Sequence, residues 1–156
     1  MTGQQALFGA PQQERTSDDY YTPRWVFETM GLEFDLDVCS PPDGIPWIPA
    51  KRYFTKEDDG LAQPWHGRVW MNPPYSASSP WVRKFIQHGH GVCLVPHAKS
   101  AWHLELWGTA HAWVAPRGGY FDFVGGSISM PVAFAAFGDE CVEAISRLGT
   151  ARVVAP

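Results

Sequence analysis

The chain has 156 residues, 45% of them apolar and 18% charged, and a net charge of −4. That length and balance suit one globular domain with a core of its own, and exclude a disordered or collagen-like chain. The excess of 16 acidic over 12 basic side chains runs against the basic surplus that phosphate contacts bring, so a nucleic-acid partner would need a local basic strip. Arg83, Lys84, Lys99 and Arg117 are the candidates for it. Cys39, Cys93 and Cys141 are odd in number and far apart, which argues against a disulfide framework or a CxxC metal site. His88-Gly89-His90 reads as a helix end rather than a ligand pair, so no metal is expected. No apolar stretch is long enough to span a membrane and no signal peptide is evident, so the expected compartment is the cytoplasm.

In chain order, residues 1–18 have little periodicity and read as a flexible tail, and residues 19–156 as a single domain. Thr22-Pro23 reads as a helix start, with Thr22 as the cap and Pro23 in the first helical position; Val26, Phe27 and Met30 form the apolar face and Gly31 is the stop. Phe34-Asp35-Leu36-Asp37-Val38 alternates as a strand, with a solvated edge as one reading of its acids. Four prolines within 41–52 exclude a long helix there. A short strand is expected at Tyr53–Thr55 and a charged turn at Lys56–Gly60.

Arg68–Met71 is the second clear strand, and Asn72-Pro73-Pro74-Tyr75 follows at its carboxyl end. A helix capped by Ser79, a buried strand from Val92 to Pro96, and a helix capped by Ser100 come next. Then follow a strand at Ala112–Ala115, a Gly-rich aromatic loop at 117–126, a strand at Met130–Phe137, a helix capped by Asp139 and a final strand at Ala151–Val154. Strands alternating with helices predict a three-layer α/β domain with a mostly parallel sheet. Ligands in such sheets gather beyond the carboxyl ends of the strands, where the turns 39–43 and 72–77 stand.

Asn-Pro-Pro-Tyr is the sharpest signal. The side-chain oxygen of Asn72 and the carbonyl of Pro73 can accept both hydrogens of a conjugated amino group, whose nitrogen is a poor nucleophile while its lone pair stays delocalised in a ring. The prolines stiffen the turn and preorganise those acceptors. Tyr75 offers a face on which a planar base can stack, once that base has left its own stack.

With those residues in place, the chain resembles the phage-type, Dam-like DNA N6-adenine methyltransferase family. The likeness spans about residues 19–137, through Tyr20-Tyr21-Thr22-Pro23, Phe34-Asp35-Leu36-Asp37-Val38-Cys39-Ser40, Asp58-Asp59-Gly60-Leu61 with Trp65, and Asn72-Pro73-Pro74-Tyr75 with Trp81. It implies a compact, Rossmann-like S-adenosylmethionine-dependent methyltransferase fold and direct methyl transfer to an adenine extruded from double-stranded DNA. Asn72, Pro73, Pro74 and Tyr75 would be the catalytic turn. Tyr21, Thr22 and Pro23 would border the methionine end of the cofactor, Asp37 would receive its ammonium, and Cys39 and Ser40 would pass beneath it. Asp58 or Asp59 would accept from the cofactor's adenine amino group. Tyr120, Phe121 or Phe123, from a late loop, would sandwich the target base, and Arg83, Lys84 and Arg117 would meet the DNA.

The glycine-rich turn common after the first methyltransferase strand is absent; Ser40-Pro41-Pro42-Asp43-Gly44 stands there. No separate target-recognition domain is expected, so sequence choice falls to the loops 41–52, 76–80 or 117–127, to a homo-oligomer or to a partner. The resemblance implies a bacterial host cell, a phage or prophage origin and a place in restriction or modification. Asn-Pro-Pro-Tyr by itself also admits RNA adenine, cytosine N4 or a protein glutamine as the methyl acceptor, or an inactive cofactor-binding module.

Overall fold

Short apolar runs rich in Val, Phe, Trp and Ala form the centre of a sheet, and amphipathic segments between them cover its faces. The structure, a computed structural model, describes residues 20–116, 122–126 and 131–153. The strands are β1 (Phe34–Asp37), β2 (Ala50–Tyr53), β3 (Val69–Met71), β4 (Gly91–Pro96), β5 (Ala112–Pro116), β6 (Val132–Phe137) and β7 (Gly149–Val153). The helices are α1 (Arg24–Met30), α2 (Ser78–His88), α3 (Ala101–Thr109) and α4 (Asp139–Ser146), and a single 3-10 turn (Tyr75–Ala77) leads into α2.

The strand order is β2-β1-β3-β4-β6-β5-β7. β2, β1, β3 and β4 are parallel, while β6 is antiparallel to β4 and β5, and β7 to β5. The expected α/β class with a mostly parallel, Rossmann-like sheet is therefore met. Residues of β3 and β4 alternate between two cores, as strand pleating requires. Trp70, Val92 and Leu94 pack with Val26, Phe27 and Met30 of α1 and Cys141, Ala144 and Ile145 of α4. Val69, Met71, Cys93 and Val95 pack with Val82 and Phe85 of α2 and Trp102 and Leu106 of α3.

β1 lies inside the sheet, between β2 and β3, so its acids do not line a solvated edge. Asp35 accepts from the backbone N–H of Arg68 at 2.8 Å and pairs with Lys51 at 3.4 Å, which holds its carboxyl below the usual carboxylate range. Asp37 is buried. Three helix starts also differ from expectation. Pro23, not Thr22, occupies the cap position of α1, and no side chain caps that helix. α2 begins at Ser78 after Ala77, again without a capping side chain. Gly138, not Asp139, occupies the cap position of α4, and Asp139 is its first residue. Gly31 and Gly89 do end α1 and α2, at φ of 59° and 72°, the left-handed conformation that glycine adopts most readily.

The chain leaves β1 toward β2 on one side and returns through β3 toward β4 on the other. The crevice between the carboxyl ends of β1 and β3 is thus a topological switch point, where open α/β sheets bind their ligands. None of the described helices is long and apolar enough to cross a membrane.

Candidate active site

A cavity of about 580 Å³ opens at that switch point, within the range typical of small-molecule sites. Its walls include Tyr20, Tyr21 and Thr22 from the segment before α1, and Asp37, Val38, Cys39 and Ser40 from the end of β1. Lys56, Asp59 and Gly60 come from the loop after β2, and Trp70, Asn72, Pro73 and Pro74 from the end of β3.

Asp37 is the buried charge of the site. Its carboxylate accepts from the Cys39 backbone N–H at 3.3 Å, and the desolvation of its position raises its pKa to about 7 despite that bond. The backbone beyond it is held on both sides, with Val38 N–H donating to Trp70 O at 3.1 Å and Ser40 N–H to Phe54 O at 2.8 Å. Sheet-like hydrogen bonding thus reaches Ser40, and the segment that stands in place of a glycine-rich turn then closes a turn of its own, with Gly44 N–H donating to Pro41 O at 3.1 Å.

Asn72 follows β3 directly. Its Nδ2 donates to the hydroxyl of Thr22 at 3.3 Å, and its Oδ1 is enclosed without a hydrogen-bond partner. The Pro74 carbonyl is occupied by the Ala77 N–H at 3.0 Å and the Ser78 hydroxyl at 3.3 Å, which fixes the turn. The ring of Tyr75 is half-buried and meets Phe123 edge-on, with centroids 6.3 Å apart. Its hydroxyl is enclosed and unpartnered, and burial pushes its pKa well up. Removing that group in Tyr75→Phe is expected to leave folding stability unchanged or raise it by up to about 1 kcal/mol, read by denaturant titration, because a buried unsatisfied donor costs free energy in the wild type.

The remaining expected residues separate by place. Asp58 does not line the cavity: it accepts from the Thr55 N–H at 2.8 Å and the Thr55 hydroxyl at 3.0 Å, and these bonds lower its pKa. Asp59 does line it. Pro23 is buried at the start of α1 and is not part of the cavity wall. Lys84 donates to the carbonyls of Gly60, Leu61 and Gln63 and sits 5.0 Å from the ring of Trp65. Its ammonium therefore anchors the loop that walls the cavity. Arg83 is exposed and faces Glu105 at 3.8 Å. Phe123 is buried, beside Tyr20 and Tyr75. Arg117, Tyr120 and Phe121 lie outside the described residues.

Lys56 and Trp70 also line the cavity and were not singled out from the sequence, while Trp81, marked there only by the resemblance, lines it too. No local pattern separates a strand tryptophan that walls a cavity from one that only fills a core. Gly60 had a weak signal, as the glycine of an acidic turn, and the structure gives its reason. A Cβ there would stand 2.3 Å from the Val38 carbonyl oxygen and 3.1 Å from the Trp81 ring. Gly60→Ala is expected to push the loop outward at a cost of about 1–3 kcal/mol, seen as a Tm several degrees lower.

His90, Glu140 and Cys141 bring three ligand-type atoms within 4.8 Å of one another, at the amino ends of the strands and away from the cavity. Arg68 Nε lies 3.4 Å from the same Glu140 oxygen that His90 contacts, so the group is an ion-pair network around one carboxylate.

Comparisons with known proteins give the chain a family. The chain is 38% identical over 74 residues to a DNA N-6-adenine-methyltransferase of Haemophilus phage HP1, a match covering 44% of this chain and 41% of that protein. Residues 10–133 match the family described as DNA N-6-adenine-methyltransferase (Dam), a span that takes in Asp37, Asp59, the Asn72 turn and the segment that holds them together. The chain belongs to that Dam family of DNA N-6-adenine-methyltransferases.

Proposed function

We propose that this chain transfers a methyl group from S-adenosylmethionine to the N6 of an adenine flipped out of double-stranded DNA. The observation that carries the reading is the Asn72 side-chain oxygen, an enclosed acceptor without a partner, at the wall of the switch-point cavity. Buried acceptors are almost always satisfied, so an orphan at such a place calls for a ligand donor. Membership of the Dam family supports the same reaction.

The cavity fits the cofactor on two counts. Its volume of about 580 Å³ suits a nucleoside-sized ligand. Its buried carboxyl, Asp37, is held by the Cys39 backbone N–H and by no cation among the described residues, and a sulfonium carrying an ammonium supplies one. When bound, S-adenosylmethionine provides the electrophilic methyl group. Asp37 and the backbone at Cys39 and Ser40 hold its methionine end. Asp59, rather than Asp58, takes the nucleoside end, because only Asp59 faces the cavity.

Asn72 Oδ1 and the Pro73 carbonyl accept the two amino hydrogens of the target base. This holds the nitrogen in place and draws its lone pair out of conjugation. The Pro74 carbonyl is spent on the turn, which leaves Pro73 as the second acceptor. Tyr75 supplies the stacking face, with Phe123 bracing it from the side. Tyr75→Ala is expected to lower transfer by on the order of 10–100-fold while Tyr75→Phe keeps it, since stacking of a base on an aromatic ring contributes roughly 1–3 kcal/mol. Of the adjacent basic pair, Arg83 meets the DNA backbone, because Lys84 is committed to the loop.

Transfer of labelled methyl from S-adenosylmethionine to DNA, RNA and protein acceptors, run side by side, tests the proposal. Label in DNA alone supports it. Label only in protein or RNA would sink it, and cofactor binding with no transfer to any acceptor would identify a binding module instead.

A further inference from the structure

Thr22 stands where a helix cap is expected, yet its hydroxyl makes no capping bond to α1. It is buried, with 1% of its surface exposed, and Oγ1 accepts instead from Asn72 Nδ2, across 50 residues of sequence. We propose that Thr22 is a positioning residue that fixes which way the Asn72 amide faces. The inference rests on the reading of Asn72 as the acceptor of the base amino group.

The two ends of an Asn amide are nearly equal in size and opposite in function. Oxygen toward the cavity accepts an amino hydrogen, whereas NH2 toward the cavity would present a donor to a donor. With Nδ2 engaged at the back by Thr22, the oxygen is left for the cavity, which matches its unpartnered state. The hydroxyl that does this is itself held. Trp47 Nε1 donates to the Thr22 carbonyl at 2.8 Å, and the preceding Tyr21 exchanges backbone hydrogen bonds with Val124, both at 2.9 Å. Gly126, in the same late loop, lies so close to Tyr20 that a Cβ would stand 2.8 Å from its ring. The segment that orients Asn72 is thereby tied to the loop that carries Phe123, the aromatic beside Tyr75.

Thr22→Val keeps the shape and deletes the acceptor, so Nδ2 loses its partner and both amide orientations become accessible. The expected result is a kcat lowered by roughly 10–100-fold, with KM for the cofactor and Kd for DNA changed less than about threefold. Thr22→Ser restores the hydroxyl and is expected to recover kcat to within about threefold of wild type. A merely structural role would instead lower Tm in both variants and leave kcat per folded molecule alone, and that outcome overturns the proposal. A kcat unchanged in Thr22→Val, or a cofactor KM that rises as much as kcat falls, overturns it as well.

A second measurement does not depend on turnover. The side-chain amide signal of Asn72 in a 15N-labelled sample, identified by its loss in Asn72→Ala, is expected to shift or broaden in Thr22→Val and to keep its place in Thr22→Ser. An amide signal identical in all three Thr22 forms would refute the contact. Wild-type protein that methylates no DNA would defeat the proposed function, while the amide signal would still decide the role of Thr22.

Discussion

Replacing Asn72 with alanine is expected to lower methyl transfer by roughly 10²–10³-fold, the effect of deleting one preorganised polar group that acts on the reacting atom, while the Kd for S-adenosylmethionine stays within about threefold. The split follows from the geometry. Asn72 Oδ1 is enclosed with no partner among the described residues, so it is available to the base amino group, and its amide nitrogen is engaged by Thr22. Asp37, which would hold the cofactor's cationic end, is on β1, a different strand. Asn72→Asp is expected to lose less than Asn72→Ala, because a carboxylate retains acceptors and the Thr22 hydroxyl can turn to donate to it. Single-turnover rates with isothermal calorimetry on the same variants separate the two quantities. A cofactor Kd that weakens in step with the rate would take Asn72 out of the base site.

Cofactor affinity is expected to fall about tenfold per pH unit below pH 7 and to be flat above it. Burial raises the Asp37 pKa to about 7 in the ligand-free protein, and a cationic ligand binds the ionised form. Below pH 7 each binding event must therefore displace a proton from Asp37. Asp37→Asn removes that dependence and is expected to weaken binding at pH 8 by roughly 10–100-fold. The same group affects folding with the opposite sign. The folded, empty protein holds the Asp37 proton more tightly than the unfolded chain, whose carboxyl titrates near its ordinary value. Asp37 therefore makes stability fall as pH rises from about 4 to about 7, by up to about 4 kcal/mol, with no further change above that. Asp37→Asn should be the more stable protein when empty above pH 7 and the poorer cofactor binder, the trade expected of a strained functional group. Calorimetry from pH 5.5 to 8.5 and denaturant titration of the empty protein measure both effects, and a wild-type affinity independent of pH would remove Asp37 from the cationic end of the site.

The parts of the fold written in period and punctuation were legible in the sequence. The continuous apolar run of β4 marked a strand buried on both faces, and Gly31, and Gly89 or Gly91, marked helix ends, which the structure sets at Gly31 and Gly89 in the left-handed conformation. The turn Asn72-Pro73-Pro74-Tyr75 was visible as a short motif whose chemistry is local. What the sequence concealed depends on contacts between distant segments. The hydroxyl of Thr22 has a local use as a cap and a distant use on Asn72, and only packing decides that it serves the second. Asp58 and Asp59 are chemically alike, but Asp58 is taken up by Thr55 while Asp59, at a φ of 54°, faces the cavity. Lys84 and Arg83 are equally basic, yet the helix turns Lys84 onto three loop carbonyls and leaves Arg83 at the surface. Sequence order is also a poor guide to sheet order here. β6 inserts between β4 and β5, as the long pairing of β4 with β6 across Gly91–Pro96 and Val132–Phe137 requires.

The most direct test is mass spectrometry of nucleosides from unmethylated plasmid DNA incubated with S-adenosylmethionine and either the wild-type protein or Asn72→Ala. The account predicts N6-methyladenine with the wild type and a trace at most with the variant. Equal N6-methyladenine from both proteins, or N4-methylcytosine in its place, would contradict it.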